Sequence, residues 1–160
     1  NIRKTLSLPL GAGFLTEAFL TSDPPSREEL LALQGHLQGM FKKIPFVEEM
    51  PLVGAGGSVL ALLQAQEGIW HYSLDLHGGK LTVDELVKLL KRFAGLSTLQ
   101  RQEIPGFAHL KRAELAPACA MIVLELLVAC KQKEVIISGY GILEGMMENM
   151  IQEFNSKPWV

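Results

Sequence analysis

Charge imbalance is what this chain has little of. Lys and Arg number 15 against 17 Asp and Glu, a formal net charge of −2 over 160 residues. Such a balance offers no long-range field for a polyanion, and a nucleic-acid surface, which depends on phosphate neutralisation by Lys and Arg, is not expected. Cysteine is almost as scarce, with Cys119 and Cys130 the two present. Both lie on one apolar run; if it is helical, their separation is roughly 16 Å at about 1.5 Å per residue. A disulfide spans about 7 Å between Cα atoms at most, so the pair reads as buried free thiols of a reducing, cytoplasmic compartment. Long apolar stretches are missing too. The run from Leu115 to Cys130 carries Glu125 as its single charge, yet it falls short of the ~20 residues that a bilayer requires. It reads as a core helix, and no membrane partner is expected. No secretory signal is visible, and the start at Asn1 in place of Met reads as a cut or processed end. The histidines His36, His71, His77 and His109 form no i, i+4 pair and no cluster with the cysteines. No metal site is expected from these residues.

Hydrophobic content of 48% and 15 glycines describe an α/β protein with core enough for one domain over residues 1–160. The glycines are not spread evenly. Three stretches read as a short apolar strand, a Gly-x-Gly turn and a helix: Leu6 to Gly13, Pro51 to Ser58, and Val135 to Gly141. Glycine there permits positive φ and close approach of another group. The helix behind it presents unpaired N–H groups and the positive end of its dipole, a combination that favours phosphate. A plain tight turn is the alternative at any one of them; three together favour the phosphate reading, strongest at Gly54, Gly56, Gly57 and Ser58. The same turn is no dinucleotide fingerprint, because Val59 stands where a third Gly belongs, and no Walker loop, because no Lys precedes Ser58.

Local signals place the remaining elements. Strands are expected at Ile2–Leu10, Met50–Val53 and Glu134–Ser138, with an alternating edge from Trp70 to Leu76. Ser26 with Glu29 and Thr82 with Glu85 are capping boxes, opening helices that run to about Lys43 and Ala94. Shorter helices are expected around Phe14 to Leu20 and Ser97 to Ile104. A long buried helix covers Arg112 to Cys130, its regular part starting near Pro117 because proline belongs in a first turn. A last helix covers Ile142 to Phe154, with Met146, Met147, Met150 and Ile151 as an apolar flank.

In order along the chain, several motifs resemble those of the exopolyphosphatase and guanosine pentaphosphate phosphohydrolase family. They are Ser7-Leu-Pro-Leu-Gly-Ala12, Leu15-Thr-Glu17, Leu52-Val-Gly-Ala-Gly-Gly-Ser58, His77-Gly78 before Leu81-Thr82, Pro105-Gly106 before Arg112-Ala113, and Gly141 through Glu144-Gly145. The resemblance implies a ribonuclease-H-like half of an actin-like fold, helix-rich, with a short mixed sheet flanked by helices. It also implies a hydrolase of polyphosphate or guanosine phosphate using Mg or Mn. By that comparison the chain is the C-terminal half. The catalytic glutamate and an Asp-rich phosphate loop belong to an N-terminal half that has no counterpart here, so no catalytic residue and no bound metal are expected in this chain alone. Gly11, Glu17, His77 and Arg112 match positions that would contact ligand; for Glu17 and Glu114 a dipole or capping role is the plainer reading, and His77 reads equally as a turn histidine. Phe14 and Leu143 stand where the family usually carries arginine. The alternatives are thus an enzyme half and a diverged phosphate-binding or dimerisation module. With middle strands missing, the 2–10 strand is expected to move beside the Met50–Val53 strand, or a second copy to complete the sheet as a homodimer.

Overall fold

A single apolar helix organises the molecule. In the computed structural model, which describes residues 5–44, 50–71 and 74–156, the run Leu110–Ala129 is a 20-residue helix. Before it come α1 (Ala12–Phe19), α2 (Arg27–Phe41), β1 (Leu52–Ala55), α3 (Gly57–Glu67), β2 (Lys80–Thr82), α4 (Val83–Ala94) and α5 (Thr98–Arg101). The long helix is α6, followed by β3 (Glu134–Ser138) and α7 (Ile142–Ser156). Alanines at 113, 116, 118 and 120 of α6 are buried, and small side chains let neighbours approach from several directions at once. One core lies between α6, α3, α4 and the sheet, centred on Leu62, Leu81, Phe93, Phe107, Leu127 and Ile137. A second packs Leu15 of α1 and Leu33, Leu37 and Phe41 of α2 against Ala118 and Met121 of α6.

The sheet runs β1-β3-β2. β1 and β3 are parallel, with Val53 opposite Ile136, as expected for strands joined through intervening helices. β2 is antiparallel to β3, with Leu81 opposite Val135. This is the short mixed sheet, flanked by helices, of the ribonuclease-H-like half.

Three local expectations are corrected. Residues 5–10 form no strand. Pro9 lacks a ladder donor, the Leu10 N–H closes a tight turn onto the Leu8 carbonyl at 2.9 Å, and Leu8 and Leu10 lean on the second core. Among the described residues nothing pairs with the outer edge of β1; residues 1–4 lie outside the description. The expected edge from Trp70 to Leu76 includes residues 72 and 73, which also lie outside it. Its end, Leu74–Leu76, is a single 3-10 turn, and the strand is the next segment, three residues long and too short to show a period. Finally, α6 begins seven residues before Pro117, which sits in its interior. Proline cannot donate to the Ala113 carbonyl. The guanidinium of Arg101 reaches that carbonyl instead, with Nη1 at 3.4 Å, while its Nε donates to the Phe93 carbonyl at 2.8 Å. Arg101 is 2% exposed and binds the C-terminal end of α4 to α6.

Candidate functional site at two helix N-termini

The second glycine turn carries the geometry that glycine is needed for. Gly56 has φ 109°, and it precedes α3 without any side-chain cap. A Cβ on Gly57 would stand 3.3 Å from Nη2 of Arg112, so the absence of a side chain lets the guanidinium lie over the first turn of α3. Gly54 has a different reason: its Cβ would crowd Val59 and Val135, the packing of helix on strand. Burial pushes the Cys119 thiol up from its ordinary value, with the Ser58 hydroxyl and the Arg112 charge opposing. Ser58 itself is exposed at the turn.

A cavity of about 430 Å³ opens beside this turn, lined by Gly57, Leu60 and Gln64 of α3, Trp70, and Gly106, Ala108, His109 and Arg112 at the start of α6. Three observations give it chemical character. Both helices that end on it begin without a side-chain cap and without an acidic residue in the first turn, so their N–H groups and dipoles stay available to an anion. Arg112 adds a fixed cation with a fork suited to phosphate. Gln64 is 6% exposed, and among the described residues no hydrogen bond engages its side-chain amide. The cavity wall itself depends on Gly106, which has φ 81° and whose Cβ would fall 2.5 Å from the Ala61 carbonyl. A side chain there would push the turn before α6 off α3.

The other expected residues do not converge here. Gly11 is the exposed start of α1 with open space around it. Glu17 is exposed on α1 and lines none of the cavities described. His77 ties two turns together: its Nδ1 accepts the Gly139 N–H at 3.2 Å and its ring meets Tyr140 edge-on, which is the turn-histidine role. The third glycine turn is closed by its own helix. Glu144 accepts the Gly141 N–H at 2.7 Å, and that bond holds its carboxyl below the usual carboxylate range. An anion already sits where a phosphate would go. Of the three junctions, the first lacks its strand and the third supplies its own carboxylate; the second alone keeps the form that favours phosphate. Among the described residues no group of three or more His, Cys, Asp or Glu is arranged to hold a metal ion. No described helix is long and apolar enough to cross a membrane.

Comparison with known proteins finds relatives of the whole chain. A family model for the Ppx/GppA phosphatase family matches residues 1–154. Among solved structures, an Aquifex aeolicus family member is 26% identical with a TM-score of 0.88, over 98% of this chain and 51% of its own. The type II variant of the Aquifex aeolicus Ppx/GppA phosphatase is 28% identical with a TM-score of 0.85, over 92% and 49%. An exopolyphosphatase from Cytophaga hutchinsonii, 18% identical at a TM-score of 0.72 over 96% and 51%, shares the fold. No curated protein matches. The chain spans about half the length of the solved structures that it matches.

Proposed function

Because the chain belongs to the Ppx/GppA phosphatase family, we propose that it is the phosphate-holding C-terminal half of a cytoplasmic hydrolase of phosphoanhydride bonds in polyphosphate or guanosine pentaphosphate. The observation that carries this reading is the cavity where α3 and α6 bring two uncapped N-termini and Arg112 together. Terminal phosphates rest on Gly56, Gly57 and Ser58, where backbone N–H groups need no side chain to bind them. Arg112 neutralises the adjoining phosphate. The amide of Gln64 and the indole of Trp70 in the same cavity favour a ligand that carries a nucleobase. This half contributes positioning and charge stabilisation. The catalytic carboxylate and most contacts to Mg or Mn come from the other half, so residues 1–160 form one domain that is inactive alone.

Calorimetric titration with guanosine pentaphosphate and with polyphosphate tests this directly. Binding that weakens about tenfold or more in Arg112→Ala, as expected for a lost charge-assisted contact, supports it. Equal binding by wild type and variant overturns it.

A second reading rests on Phe14 and Leu143, which are 59% and 72% exposed where the resemblance implies arginine. In that reading the protein binds phosphate or nucleotide, or dimerises, without hydrolysing anything. The adjoining half decides: an intact catalytic glutamate and phosphate loop there support the enzyme. Sedimentation of this chain tests the homodimer, for which the outer edge of β1, unpaired among the described residues, is a surface.

A further inference from the structure

The opposite end of α6 carries a second cavity, of about 350 Å³, lined by Gln38, Phe41, Lys42, Ile44, Glu125, Val128 and Ala129. Its chemistry is the reverse of the first. Here α2 and α6 both end, and neither has a basic residue in its last turn, so the negative ends of two helix dipoles meet at this cavity. In the wall is Glu125, 3% exposed. Its oxygens accept the amides of Gln34 at 2.6 Å and Gln38 at 3.0 Å, but amides bring no charge, and Glu125 is in none of the ion pairs of the described residues. Lys42 lines the cavity without joining an ion pair with it. Taking a carboxylate out of water without a cation is expensive, and each oxygen keeps a further lone pair.

We propose that this cavity binds an organic ammonium ion, its –NH3+ group on Glu125 and its hydrocarbon part against Phe41, Ile44, Val128 and Ala129. A bare metal ion is the poorer occupant, because Ca2+ or Mg2+ asks for about six oxygen ligands and the walls supply one carboxylate. The site lies about 20 Å along α6 from Arg112, at about 1.5 Å per residue, so it stands independently of the phosphate reading.

The test is a nitrogen-15 NMR titration of the chain with n-butylammonium, and with n-butanol as the uncharged control. Saturable shifts confined to residues 38–44 and 125–129 are expected, with binding at least about tenfold weaker for n-butanol and for Glu125→Gln, as loss of a charged partner implies. Val128→Trp, which fills the cavity and leaves Glu125 in place, is expected to lose binding while keeping a dispersed spectrum; it serves if Glu125→Gln unfolds. Equal binding of n-butanol, binding that survives both variants, or no saturable shift by about ten millimolar amine overturns the proposal.

Discussion

Helices α2, α4 and α5 close their own N-termini, whereas α1, α3 and α6 leave theirs without a side-chain cap, α3 and α6 lying side by side. In the closed set, Ser26 with Glu29, Thr82 with Glu85 and Ser97 with Gln100 each complete a capping box, satisfying free N–H groups within four residues of chain. In the open set the positions in front of the helix are Gly11, Gly56 and His109, none of which caps by its side chain. Propensity alone would favour closing all six. A cap contributes about 1 kcal/mol, so leaving three open costs stability, and two of the three share a cavity with Arg112. On the proposed reading, the α3 and α6 ends are the ones that meet a ligand, while the α1 end, with open space around Gly11, is simply uncapped.

The largest effect is expected where the fold depends on a buried donor. Arg101→Met removes the bonds to the Phe93 and Ala113 carbonyls, leaving the one that Pro117 cannot serve without a partner. A loss of about 2–4 kcal/mol is expected, from unmade buried bonds, and denaturant unfolding measures it. Arg112→Ala sits at the open ends and is exposed. It should leave unfolding within about 0.5 kcal/mol of wild type and weaken phosphate-ligand binding by about 1.5–3 kcal/mol. If Arg112→Ala unfolds the chain and spares binding, the contrast between the two regions collapses.

A closed end can be broken and an open one closed. Thr82→Ala should cost about 1 kcal/mol, because the Thr82 hydroxyl accepts the Glu85 N–H and its own N–H is held by the Glu85 carboxylate at 2.7 Å; ligand binding should not change. Ser58→Asp puts a carboxylate in the first turn of α3. A gain of about 0.3–1 kcal/mol in stability together with loss of phosphate binding is expected, and calorimetry of unfolding and of binding on one sample reads both. Retained binding would show that the α3 end is not where the anion rests.

Much of this contrast is legible in the chain because capping is local. Ser26 and Glu29, or Thr82 and Glu85, carry their chemistry within four positions, and the Gly56-Gly57 turn announces itself the same way. The parallel pairing of β1 and β3 also follows from reading strand, helices, strand in order. What sequence reasoning missed is non-local. Gln64 looks like an ordinary helix residue until Gly106 and Trp70 are brought opposite it, and Arg101 looks like a surface cation until Pro117 leaves a carbonyl for it. The third glycine turn misleads for a related reason: Glu144 was in plain view, but its use as the cap of α7 depends on how residues 139–141 turn. Residues 5–10 alternate like a strand, yet Leu8 and Leu10 find cover on the second core while Leu6 stays exposed.

The smallest effect concerns pH, and it tests whether the closed ends are held by charge. Glu29 accepts from the Thr21 hydroxyl at 2.6 Å, from the Ser26 N–H at 2.8 Å, and from the Thr21 and Ser22 N–H groups. These bonds, led by that of the Thr21 side chain, hold its carboxyl at about 2, below the ordinary 4.5. A depressed pKa means that the unfolded chain binds the proton more readily than the folded one. The stabilisation is therefore fully present above about 4.5 and is lost as pH falls toward 2. Because Glu29 lies at the surface, solvent screens the effect and the change in overall stability should be slight. The local signature is sharper. The carboxyl carbon-13 shift of Glu29 should titrate near 2, and the Ser22 and Ser26 amide shifts should move with it. The open α3 end has no such carboxylate, so the Ser58 and Val59 amides should stay still over the same range while the chain remains folded. Amides of α3 that move in step with those of α2 would show that acid loosens the whole chain and not one cap.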